Sequence, residues 1–186
     1  MDYINYIKDL DLVLKNSIVF SKTIETIITK VVNSLQNDGT LFFCGNGGSA
    51  AESQHLSAEF MGRFVINRKP LKSISLTVDT SNITSIANDY DFNKVYARQL
   101  EALGRKGDIL FSLSTSGNSE NVINAIELAH KIGIETISFL GGSGGKIKDM
   151  CDHQILVPSN KTYHIQETHQ IIGHFICLNV EEKLFH

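Results

Sequence analysis

The strongest structural signal in the chain is an alternation that begins at residue 40, where short apolar runs take turns with amphipathic stretches. Leu41-Phe42-Phe43-Cys44, Ser73 to Val78, Asp108 to Leu113, Glu135 to Leu140 and Gln154 to Val157 read as five strands. Between and after them the spacing predicts helices over 49–63 and 119–131, two short helices within 80–102, and a closing helix over 163–183. Strands that alternate with helices imply a parallel sheet covered on both faces. The expected fold class is therefore α/β: a three-layer, five-stranded parallel sheet flanked by helices.

Two helices are expected ahead of the first strand. Residues 20–37 carry Ile24, Ile27, Ile28, Val31, Val32 and Leu35 at helical spacing, and 3–18 form a less regular second helix. Together they offer more apolar stripe than a small sheet needs, and packing between subunits is one outlet. At 186 residues the chain suits one domain, 1–186. A formal charge of -3 argues against a non-specific nucleic-acid binder. Cys44, Cys151 and Cys177 are widely spaced and contain no CxxC pair, so neither a cysteine zinc site nor a disulfide scaffold is expected. No stretch reaches the ~20 apolar residues of a membrane span, and no signal peptide is evident. A cytoplasmic protein with neither a nucleic-acid nor a membrane partner is expected.

Parallel sheets bind ligands beyond the carboxyl ends of their strands, so the loops there carry the chemistry. The first, Gly45-Asn46-Gly47-Gly48-Ser49, lets backbone N–H groups approach an anion at a helix start. Ser49 to Glu52 also reads as a capping box, a role compatible with ligand binding. Gly45 to Ala50 matches G-x-G-x-x-A, and Asp79 closes the second strand, so a nicotinamide-dependent oxidoreductase is an alternative. The second loop, Ser114-Thr115-Ser116-Gly117-Asn118-Ser119, sets four hydroxyls and a glycine before a helix, which suits the oxygens of a phosphate monoester. A dinucleotide fold does not ask for it. The third, Gly141 to Lys146, fails the P-loop pattern at Leu140 and Ile147 and reads as a flexible turn.

Acid–base groups come from two helices. His55 and Glu59 share one face, one turn apart. Gln166 and His174 lie two turns apart on the last helix, so both tips can approach one ligand. Two imidazoles, a carboxylate and an amide oxygen could hold a divalent ion such as zinc. His130, His153, His164 and His186 read as ordinary structural or surface residues, and His169 is left open.

GNGGSAAESQH with Glu59 at 45–59, ANDYDFN at 87–93, GDILFSLSTSGNSENV at 107–122 and HIQETHQIIGH at 164–174 resemble the phosphoheptose isomerase family. This is the sedoheptulose 7-phosphate isomerase branch of the sugar isomerase (SIS) fold, which is flavodoxin-like. The likeness covers nearly the whole chain, leading helices included, and its ordered set of motifs is highly specific. The resemblance implies an aldose–ketose conversion of sedoheptulose 7-phosphate to D-glycero-D-manno-heptose 7-phosphate. That product feeds nucleotide-activated heptose for lipopolysaccharide or capsule. The implied substrate-contacting residues are Asn46, Gly47, Gly48, Asn88, Asp89, Ser114, Thr115, Ser116, Ser119 and Gln166, with Ser49 and Glu59 added. The implied zinc ligands are His55, Glu59, Gln166 and His174, and the implied base and acid are Glu59 and His174. A homotetramer with shared sites is also implied, residues 1–37 serving the contacts. No departure from the family pattern occurs at these positions.

The chemistry agrees: isomerisation needs a base for a proton alpha to a carbonyl and a group serving the oxygens. A non-catalytic SIS regulator or adaptor is the second alternative. It would have no need of both Glu59 and His174.

Overall fold

The computed structural model describes residues 2–186. Its elements run α1 (Tyr3–Ser17), α2 (Ser21–Gln36), β1 (Leu41–Gly45), α3 (Gly48–Met61), β2 (Ser73–Ser75), α4 (Thr80–Asp89), α5 (Val95–Leu103), β3 (Ile109–Ser114), α6 (Glu120–Ile132), β4 (Glu135–Gly141), β5 (His153–Val157) and α7 (Thr162–Phe185). The five strands pair in parallel in the order β2-β1-β3-β4-β5. Side chains alternate across the sheet, so Leu41 and Phe43 enter one apolar cluster, Phe42 and Cys44 another. The first cluster gathers α2, α3 and α7, and the second gathers α5 and α6. Three layers result, as the alternation of elements predicts.

Chain order reverses beside β1, which sends its successor to one side and β3 to the other. That reversal opens a crevice at the carboxyl ends of β1 and β3, flanked by the first and second loops. Three expectations need correction. The second strand ends at Ser75 rather than Val78: the chain turns at residues 76–77, where the hydroxyls of Ser75 and Thr77 are hydrogen-bonded at 2.8 Å. Asp79 does not close a strand; its carboxylate caps α4, accepting from the Asn82 N–H at 2.9 Å. Nor are residues 141–146 a loose turn. Adjacent β3 and β4 press that loop onto the second one, where the Ile147 N–H donates to Gly117 O at 3.1 Å and the Lys146 N–H to Asn118 Oδ1 at 3.2 Å. Gly117, at φ 65°, faces Gly144 so closely that a Cβ would lie 1.9 Å from its carbonyl oxygen. No helix among the described residues is long and apolar enough to cross a membrane.

Candidate active site

The first loop is shaped by glycine at two points. Gly47 takes φ 56° and ψ -121°, a conformation open to glycine, and so launches α3 at Gly48. Ser49 therefore lies inside the helix, buried, and does not cap it; its N–H donates to Asn46 O at 3.0 Å. The capping box is absent for the same reason, leaving both carboxylate oxygens of Glu52 buried without a hydrogen-bond partner. Burial pushes the Glu52 carboxyl up to about 8.

Asn46 joins the two loops. Its amide exchanges hydrogen bonds of 2.8 and 2.9 Å with that of Asn121 in the first turn of α6, and the Tyr96 hydroxyl donates to Gly45 O at 2.5 Å. Sequence reading passed over both partners, although Asn121 follows the second loop directly. In that loop Ser114 Oγ accepts the Gly117 N–H at 3.1 Å and lies 3.4 Å from Ser119 Oγ. Ser116 Oγ accepts from the Asn118 N–H at 3.2 Å. With Thr115, these hydroxyls rim the start of α6, where free helix N–H groups favour an anion. Asn88 and Asp89 stand at the exposed end of α4, the amide of Asn88 donating to Asp89 at 2.8 Å; no hydrogen bond ties them to the loops among the described residues.

The two distant helices do meet. One ligand atom each from His55, Glu59 and His174 lies within 4.8 Å of the others. His55 Nε2 is 2.8 Å from His174 Nε2 and 3.3 Å from Glu59 Oε1. Burial lowers the pKa of His174, the neighbouring His55 lowers it further, and Glu59 opposes both. Glycines permit the approach. A Cβ on Gly173 of α7 would come within 2.5 Å of Leu56 on α3, and one on Gly48 within 2.3 Å of the Gln166 amide. Gln166 thus lies against the first loop, while the amide that reaches His174 Nε2, at 2.8 Å, belongs to Gln170. Two imidazoles and a carboxylate converging on one point form a donor set that fits zinc, with the Gln170 amide beside it.

His169 resolves as a structural residue. It is fully buried, bonds Leu140 O at 3.1 Å, and burial pushes its pKa down to about 4. His164 is also buried and bonds Glu167 at 2.8 Å.

A parallel sheet with a glycine-rich and a hydroxyl-rich loop at the carboxyl ends of β1 and β3, and an acid–base cluster on two flanking helices, defines a SIS-domain protein, and the SIS domain family matches residues 2–141. The chain belongs to this family and, within it, to the phosphoheptose isomerases. It is 48% identical to the phosphoheptose isomerase of Clostridium acetobutylicum over 89% of this chain and 85% of that one. Identity to the Nitratiruptor sp. phosphoheptose isomerase is 52%, over 82% of this chain and 81% of that protein. The solved phosphoheptose isomerase of Neisseria gonorrhoeae superposes with a TM-score of 0.91 at 37% identity, covering 96% of each chain. The one from Francisella tularensis gives 0.88 at 33%, covering 98% of this chain and 100% of that one.

Proposed function

We infer that the protein is an aldose–ketose isomerase that converts sedoheptulose 7-phosphate to D-glycero-D-manno-heptose 7-phosphate. The observation that carries the mechanism is the convergence of Glu59 and His174 from separate helices. The phosphate is held by Ser114, Thr115, Ser116 and Ser119 at the start of α6, and the sugar lies across the first loop, with Asn46, Gly47, Gly48, Ser49 and Gln166. Asn88 and Asp89 reach it from the end of α4.

Glu59 takes the proton from C1 of the ketose while the C2 oxygen gains one, giving a 1,2-enediol. Returning the proton to C2 and removing that on the C1 oxygen yields the aldose. His174 serves the two oxygens in both halves. Oε1 of Glu59 faces His55 at 3.3 Å, which leaves the second oxygen for the proton. His55, Glu59, Gln166 and His174 would hold one zinc ion, which supplies a Lewis acid to polarise the carbonyl. Chelation is expected to abolish turnover and zinc to restore it.

The chain works as a cytoplasmic homotetramer, and its product supplies activated heptose for a surface polysaccharide, lipopolysaccharide or capsule. Glu59→Gln tests the assignment. A folded variant should lose about 10²–10⁴-fold in kcat; near-normal turnover overturns the role of Glu59. The regulator reading is not favoured, since a sugar-phosphate sensor has no use for a base beside an imidazole.

A further inference from the structure

Arg68 and Glu181 form an ion pair of 2.7 Å whose side chains are only 2% and 3% exposed. The pair lies outside the sugar-phosphate loops, yet each partner is tied to the acid–base cluster. The Arg68 guanidinium donates to Glu59 O at 2.8 Å and Phe60 O at 2.9 Å, carbonyls in the last turn of α3 that have no partner within the helix. Its Nε donates to Glu181 Oε1. Glu181 lies seven residues beyond His174, two turns along the same face of α7. Its carboxylate also accepts three consecutive backbone N–H groups, from Phe64 at 3.1 Å, Val65 at 2.7 Å and Ile66 at 3.1 Å. The Phe64 ring, placed by the first of these bonds, packs on the His174 imidazole at a centroid distance of 5.5 Å.

We propose that Arg68, Glu181 and Phe64 are positioning residues that set Glu59 and His174 in register. Arg68 anchors the turn of α3 that bears Glu59. Glu181 anchors the same segment to the helix that bears His174. Phe64 fixes the plane of the His174 ring. A planar fork is required at residue 68, because a single ammonium cannot reach the α3 carbonyls and the Glu181 carboxylate together. A buried pair of this kind contributes little net stability over an apolar replacement, so its geometry is the better account of its presence. The inference rests on the isomerase reading and adds to it residues that touch neither substrate nor metal.

The test uses Phe64→Leu, Glu181→Gln and Arg68→Lys in the full chain, with kcat, KM and zinc affinity measured on the folded fraction. Zinc affinity is read by competition with a chromogenic chelator. Phe64→Leu leaves the ion pair intact and so covers the case in which the other two do not fold. The expected result is a fall in kcat of about 10-fold or more with KM within about threefold, and zinc held about 10–100-fold more weakly, as when a group that orients a ligand is lost. If folded Phe64→Leu keeps kcat and zinc affinity within twofold of the parent, the proposal is overturned. Should the parent bind zinc but fail to turn over sedoheptulose 7-phosphate, the isomerase reading fails, and zinc affinity alone still decides the clamp. A parent that does neither overturns both.

Discussion

Glu52 shows how much one side chain contributes at this site. Its carboxyl titrates near 8 in the folded protein against 4.5 for the free group, because it is buried without a partner. The folded state therefore binds more protons than the unfolded chain across that window. The sign follows: the group's contribution to stability falls as pH rises from about 4.5 and is least favourable above 8. Glu52→Gln is expected to raise Tm by roughly 10 °C at pH 9 and to leave it nearly unchanged at pH 4. Equal shifts at the two pH values, in thermal unfolding followed by circular dichroism, contradict this.

Helices α3 and α7 assemble the site through glycine contacts that ordinary helix propensity would not select. Alanine at residue 173 should favour an isolated helix by up to about 1 kcal/mol. Within the fold its Cβ would lie 2.5 Å from Leu56 Cδ2, so the buried Leu56 side chain or the α3–α7 spacing must give way. Gly173→Ala should therefore lower kcat by about 10-fold or more while the protein remains folded, and an unchanged rate contradicts the close approach. Much of this layer was legible in sequence: apolar alternation located all five strands, and i, i+4 spacing put His55 and Glu59 on one face. What escaped depended on contacts between distant segments. Asn121, Gln170, Arg68 and Glu181 look like ordinary polar helix or loop residues until the fold brings their partners to them. The capping box failed because Gly47 takes the cap position and the helix starts at Gly48, one residue before Ser49. Nothing local marks Gly173 except its place in a helical pattern, a signal worth heeding.

For the whole molecule, the leading helices leave apolar side chains in water. Tyr3, Ile4, Leu12, Ile18 and Val19 are exposed, Val19 to 76%, as are Ile171, Phe175 and Leu178 on α7. Large apolar side chains exposed in this number favour association, in keeping with the proposed homotetramer of 20.6 kDa chains. Light scattering should give the tetramer mass, and paired charges at Ile18 and Val19 should break it into smaller species. A monomer in the parent protein contradicts the assembly.

The catalytic account stands on a carboxylate from α3 and an imidazole from α7 acting on one bound ketose phosphate. Incubating the zinc-loaded protein with sedoheptulose 7-phosphate alone, and following the sugar by NMR, tests it most directly. The account predicts D-glycero-D-manno-heptose 7-phosphate, formed without nucleotide, oxidant or reductant. Sedoheptulose 7-phosphate that is bound yet returned unchanged contradicts it.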